Sequence, residues 1–196
     1  MKPIINITWE YPPWVVGDLS NRLQSLISPL ARIMPLILVV RADTDGISII
    51  DNMKIYQVGT SIRTSPHVLA FSHVLNMDLL RGASNAVYDV GGASILHTHD
   101  WISSLAGCCL SAYFGIPLMI SIYSTEKSRT STPNSLLRMG IFDTEKYCFQ
   151  YADLLTAFND EMKEQICRDY GIKKENVFVL RKGSLDLKKI YERWLK

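Results

Sequence analysis

Three short stretches of this sequence hold the residue types best suited to chemistry. "TWEYPPWVVGDLSN" (Thr8 to Asn21) sets Glu10 and Tyr11 before a Pro12-Pro13 pair and places Gly17 and Asp18 just beyond it. "SILHTHDW" carries His97, His99 and Asp100, and "IYSTEKSR" carries Tyr123, Ser124, Thr125, Glu126 and Arg129. Each follows an apolar run of strand length and leads toward a helical pattern. In open α/β sheets that junction is where ligands bind, beyond the carboxyl ends of the strands. Carboxylates, an imidazole and a guanidinium there could hydrogen-bond a polyol, and a glycine-containing turn into a helix could receive phosphate.

The bland reading of each residue stands beside that one. His97 and His99 share a face by the period of a strand, and a central strand buries its faces, so His97 reads as a packed core histidine. His99 sits at the strand end, directly before a helix N-terminus whose amides attract oxygen-rich ligands. A cap partnership with Asp100 explains it equally, since the Asp100 carboxylate can accept first-turn amides. Polar residues of the Ser124 to Arg129 loop are ordinarily turn and cap partners of one another. Trp9 and Tyr11 read as packing, given the area that aromatic rings bury. The sequence contains no nucleophile elbow, phosphate-binding P-loop or complete GxGxxG.

The elements that must position these residues alternate in type. "PIINITW" (3 to 9) is of strand length, and Leu19, Leu23, Leu26, Ile27, Leu30 and Ile33 recur at helical spacing from Leu19 to Met34. Pro29 inside that segment predicts a kink or an early end. "LILVVRA" (36 to 42) reads as a buried strand, "GISIID" and "KIYQVG" follow with short turns, and a helix is expected from His67 to Val87. "SILHTH" runs into a helix ending on Gly115, then "IPLMISIYS" (116 to 124), the helix "NSLLRMGIFDTEKYCFQYA", the strand "DLLTAF" and the helix "NDEMKEQICRDYG". Asn159 or Asp160 caps that last helix and Gly171 stops it. "NVFVLRKG" and "LDLKKIYERWLK" close the series, the latter with Leu185, Ile190, Trp194 and Leu195 at helical spacing. Strands alternating with helices predict a single-domain, doubly wound α/β fold with a parallel sheet.

Length and composition agree. The 196 residues, 47% apolar, suit one domain with a large core. The 21 basic and 19 acidic residues leave a scattered +2, which gives nucleic acid or a membrane surface no charge to attract it. Cys108, Cys109, Cys148 and Cys167 lack metal or disulfide spacing, so no metal site is expected. Without a signal segment or a membrane-spanning run, the sequence reads as that of a cytoplasmic protein.

Taken in order, "TWEYPPWVVGDLSNRL", "ILHTHDWISSLAG", "GIPLMISIYSTEKSR" and "YADLLTAFNDEMKEQICRDYGIKKENVFVL" resemble the amino-terminal domain of glycogen and starch synthases and their archaeal relatives. The likeness runs from about residue 2 to residue 186. It implies a Rossmann-like domain over 1–186, the amino-terminal half of a two-domain GT-B retaining glycosyltransferase, with 187–196 a terminal helix or the start of an interdomain linker. The implied reaction moves glucose from ADP-glucose or UDP-glucose to an α-glucan, with no cofactor and no obligatory metal. The donor would be held only once a second, carboxy-terminal domain is present, as a partner half or within a larger chain, and self-association is a further expectation. By the resemblance, His99 contacts the transferred sugar and Gly17 and Asp18 lie in the diphosphate loop. Glu10, Tyr11, Asp100, Tyr123, Thr125, Glu126 and Arg129 fall on the acceptor or sugar side. The sequence departs from the family at Asp18, where a second glycine is usual, at Tyr123, where a histidine is usual, and at "LRKGS" in place of "IPNG". The resemblance therefore also leaves open a glucan-binding or regulatory protein without catalysis.

Overall fold

The computed structural model describes residues 2–61, 65, 67–130 and 135–194. Its strands are β1 (Ile4–Thr8), β2 (Leu36–Ala42), β3 (Gly46–Ile50), β4 (Met53–Gly59), β5 (Ile95–His99), β6 (Leu118–Ser121), β7 (Leu154–Ala157) and β8 (Val177–Val179). They form one eight-stranded sheet in the order β3-β4-β2-β1-β5-β6-β7-β8. All neighbours are parallel except β3 and β4. The exception is local: only Asp51 and Asn52, both at positive φ, link β3 to β4, and so short a link permits a hairpin but no crossover.

The helices are α1 (Leu19–Ala31), α2 (Val68–Asp89), α3 (Ser104–Phe114), α4 (Glu126–Arg129), α5 (Leu136–Tyr151), α6 (Asp160–Tyr170) and α7 (Ser184–Trp194). From β1 the chain winds one way through α1 to β2, then returns past β1 through α2 to β5. Right-handed crossovers in opposite directions put helices on opposite faces. Accordingly α2, α3, α5 and α6 cover the face bearing Ile5, Ile7, Val39, Leu96 and Ile120, while α1 and α7 cover the face bearing Ile4, Leu38, Val40 and Ile95. The reversal makes the gap between β1 and β5 the topological switch point. That is the place where this architecture opens for a ligand.

Local signals act largely as the sequence implies. α1 passes through Pro29 and ends at Ala31, short of Met34. Asn159, not Asp160, caps α6, its Oδ1 accepting from the Met162 amide at 2.7 Å. Gly171 at φ 70° stops the same helix, in the left-handed conformation that glycine adopts without strain. Asn134, where the helix "NSLLRMGIFDTEKYCFQYA" was expected to begin, lies outside the described residues, and Ser135 caps α5. In α7 the packed face is Leu187, Ile190 and Tyr191, whereas Leu185 points outward, and Leu195 lies outside the described residues. Among the described residues no helix is long and apolar enough to cross a membrane.

Candidate functional site

The loops after β1, β5 and β6 come from three neighbouring strands and meet at one edge of the sheet. After β1 the chain turns back on itself through Pro12-Pro13, and Tyr11 bridges to Trp14. Glu10 organises the rest of this loop. Its buried carboxylate accepts from the Val16 amide at 2.7 Å and the Gly17 amide at 2.5 Å, fixing an exposed stretch from Val15 to Asp18. Asp18 occupies the N-cap position of α1, but its side chain makes no cap hydrogen bond. Tyr11 is packed under α1 with its hydroxyl on Ser28 at 2.8 Å, and burial pushes its pKa up to about 12.

At the end of β5, His99 is fully buried. Its Nε2 lies 2.9 Å from Asn6 Oδ1 and its Nδ1 lies 3.3 Å from Tyr123 Oη. Desolvation lowers its pKa to about 3, so the imidazole is neutral at physiological pH and acts as a hydrogen-bonding group rather than a charge. His97 packs in the core as expected, 4.0 Å from the His99 ring between centroids. Asp100 turns the corner with φ 64° and ψ 165°. Non-glycine residues rarely adopt that backbone, which costs on the order of 1–3 kcal/mol and persists where surroundings over-determine it. Here the Asp100 amide donates to Ser121 O at 2.9 Å, and the carboxylate accepts from the Trp101 amide at 2.9 Å. Burial raises the Asp100 pKa to about 6; the Trp101 amide and Arg129 pull it down, while Glu145 and Glu10 push it up.

The loop after β6 is a rigid frame. Thr125 and Ser128 form a reciprocal capping box at the start of α4. Arg129 donates to Ser124 Oγ at 2.7 Å, to Glu126 at 3.2 Å and to Glu145 at 2.7 Å. Glu145, inaccessible on α5, accepts the Glu126 amide through both oxygens at 2.9 Å and also accepts the Tyr170 hydroxyl. Burial raises its pKa, against the pull of Tyr170 and Arg129. Tyr123 leans over His99, its ring 4.8 Å from that of Phe158.

Of the residues singled out in the sequence, His99, Asp100, Tyr123 and Arg129 are brought together, with the Glu10-pinned Gly17 loop beside them. Thr125 and Glu126 are spent within the frame, and Tyr11 lies under α1. Sequence reasoning missed Glu145, Tyr170, Asn6 and Tyr191. Glu145 had a signal: Ile141, Cys148 and Phe149 place its position on the buried face of α5, and a carboxylate there needs partners. Among the described residues no cluster of three or more histidine, cysteine or acidic side chains is placed to hold a metal ion.

A doubly wound sheet with polar loops gathered at its switch point defines a Rossmann-like unit. Residues 43–183, well over half of the chain, match Glycosyltransferase Family 4, and the protein belongs to that family. It is similar to glycogen synthase of Mycobacterium tuberculosis, 22% identical over 197 residues that cover 92% of this chain and 48% of that protein. It is also similar to an uncharacterised glycosyltransferase of Methanocaldococcus jannaschii, at 23% identity over 92% of this chain and 46% of that one. The chain spans about half the length of the curated relatives it matches.

Among solved structures it resembles sucrose-phosphate synthase from Thermosynechococcus elongatus, with TM-score 0.68 and 16% identity over 86% of this chain and 45% of that one. The catalytic domain of starch synthase IV from Arabidopsis thaliana, bound to ADP and acarbose, gives TM-score 0.65 and 10% identity over 94% of this chain and 52% of that one. The fold is thus the one found in about half of each of these chains.

Proposed function

We propose that this chain supplies the acceptor-side, amino-terminal half of a retaining glycosyltransferase that moves glucose from ADP-glucose or UDP-glucose onto the non-reducing end of an α-glucan. The observation that carries the reading is the corner at the switch point: neutral His99 and strained Asp100 beside the Gly17 loop. Solved structures of similar fold that hold related compounds support the substrate class, including starch synthase IV bound to ADP and acarbose and an Anabaena protein in complex with UDP-glucose. Gly17 and Asp18 would border the donor diphosphate, His99 and Tyr123 the transferred sugar. Asp100 and Arg129, held by Thr125 and Glu126, would shape the acceptor side. Catalysis would come from positioning and from electrostatic stabilisation of the departing diphosphate, in a site completed by a carboxy-terminal domain or partner half. Four free cysteines support a reducing, cytoplasmic setting.

A second reading rests on Asp18. Exposed and uncapped at the start of α1, its carboxylate would stand near the diphosphate and repel it, which favours a glucan-binding protein without transfer. Labelled ADP-glucose and UDP-glucose, offered with glycogen, separate the two. The 196 residues alone are expected to transfer nothing. Supplying a donor-binding domain is expected to restore transfer, and His99→Ala to abolish it. Glycogen binding without transfer in both preparations would establish the second reading, and turnover by the isolated chain would overturn the need for a second half.

A further inference from the structure

The sheet face under α1 and α7 carries a continuous row of buried polar groups. Thr156 Oγ1 lies 2.6 Å from Ser121 Oγ, which lies 2.8 Å from His97 Nε2. His97 Nδ1 is 2.5 Å from Tyr191 Oη, and Tyr191 Oη is 3.2 Å from Asn6 Oδ1. Asn6 Oδ1 also meets His99 Nε2, and His99 Nδ1 meets Tyr123 Oη. All of these residues are inaccessible except Tyr123, which keeps a sliver of surface at the edge. Burial holds both imidazoles neutral, so each ring has one N–H and one lone pair. The direction of every hydrogen bond is therefore linked to that of its neighbours.

Two proton arrangements satisfy the chain. With the Asn6 oxygen facing His99 and Tyr191, every bond points toward Asn6, and Tyr123 spends its proton on His99 Nδ1. Asn6 Nδ2 is then buried without a partner. Turning the amide over points Nδ2 at both His99 Nε2 and Tyr191 Oη, and every bond runs outward. His99 then carries its proton on Nδ1 and donates to Tyr123. Tyr191 donates to His97, whose Nε2 proton passes to Ser121. An unpaired buried N–H costs about 1–3 kcal/mol, and under-satisfied carbonyl oxygens are tolerated better. The outward arrangement leaves one hydroxyl proton over at Thr156, but a hydroxyl hydrogen can turn about its C–O bond, whereas the two amide hydrogens are fixed in the amide plane.

We propose that Asn6 donates, and that it is a positioning residue whose amide fixes both histidine tautomers and leaves the Tyr123 O–H free to donate to a ligand oxygen at the edge. Burial also raises the phenol's pKa, which keeps it a donor throughout the physiological range. Only the identity of the ligand, a sugar hydroxyl or phosphate oxygen, rests on the glycosyltransferase reading; the tautomers do not.

Long-range proton–nitrogen correlation spectra of the histidine-labelled chain at neutral pH test it. The signals of His67 and His73, both exposed, are identified by their loss in His67→Gln and His73→Gln. The expected result is a protonated Nδ1 on His99 and a protonated Nε2 on His97. A protonated Nε2 on His99, or an average of two tautomers, overturns the proposal. Asn6→Asp, whose carboxylate only accepts, is expected to reverse both rings, and a folded Asn6→Asp protein that keeps the original tautomers overturns it as well. If that variant does not fold, the unsubstituted chain still decides. Neither readout involves glucose transfer, so failure of the functional reading remains a separate result.

Discussion

The carboxylate of Glu10 and the amide of Gly17 are joined by a 2.5 Å hydrogen bond, with the Val16 amide on the same oxygen at 2.7 Å. A buried side chain thus sets the shape of an exposed loop. Glu10→Ala orphans both amides, at an expected cost of about 1–3 kcal/mol. Amide exchange at Val16 and Gly17 should accelerate while β1 stays protected. Unchanged protection at both amides would show that the Pro12-Pro13 turn holds the loop unaided.

Asp100 should leave a pH signature in stability. The native carboxyl keeps its proton to about pH 6, against 3.8 for the unperturbed group. Between those values the native state binds more protons than the unfolded one, so this contribution is complete below the window and is lost as pH rises through it. Asp100→Asn keeps a capping oxygen and removes the charge. Its advantage over the unsubstituted protein in urea denaturation should be about 1 kcal/mol larger at pH 8 than at pH 5, after allowance for solvent screening. An equal advantage at both pH values would mean that Asp100 does not titrate in this window.

The architecture was legible because its signals are local and repeated. Apolar runs of strand length, helical spacing and stops such as Gly115 and Gly171 each specify one element, and alternation of elements specifies the winding. The corner at His99 and Asp100 was legible for the same reason, since a strand end followed by a cap residue is a sequence pattern. The partners were not. Tyr191 reaches His97 from 94 residues away and Asn6 from 185, and Glu145 reaches Arg129 from another helix; no spacing rule connects residues that only the fold brings together. Nor does local pattern show that Tyr123 would sit on His99, since the two are joined only by the pairing of β5 with β6.

The corner also depends on how closely α3 approaches the sheet. A Cβ at Gly107 would stand 2.4 Å from Thr98 Cγ2 and 2.8 Å from Leu118 Cδ1, too close for either to accommodate without moving. Gly107→Ala should therefore destabilise by about 1–3 kcal/mol, as overpacking does, despite alanine's better helix propensity. Because only the single 3-10 turn Trp101–Ser103 separates α3 from the Asp100 corner, the same substitution should shift the backbone resonances of His99 and Asp100. A stabilised variant with an unmoved corner would mean that α3 has room to spare.

Glu145 closes the frame from behind, and its effect should be larger than any single contact suggests. Glu145→Ala leaves the Arg129 guanidinium, the Glu126 amide and the Tyr170 hydroxyl without the carboxylate they share. Removing one partner of a buried ion pair costs about 3–5 kcal/mol, because the remaining charge stays desolvated. Arg129 is partly exposed and can turn toward water, which puts the expectation at about 3 kcal/mol. Tyr170→Phe removes one neutral donor to the same carboxylate and should cost about 1 kcal/mol. In the double variant the two losses should not add, since without Glu145 the Tyr170 hydroxyl has lost the group it served. Urea denaturation of the four proteins measures the coupling, and strict additivity would mean that Glu145 and Tyr170 stabilise this edge independently.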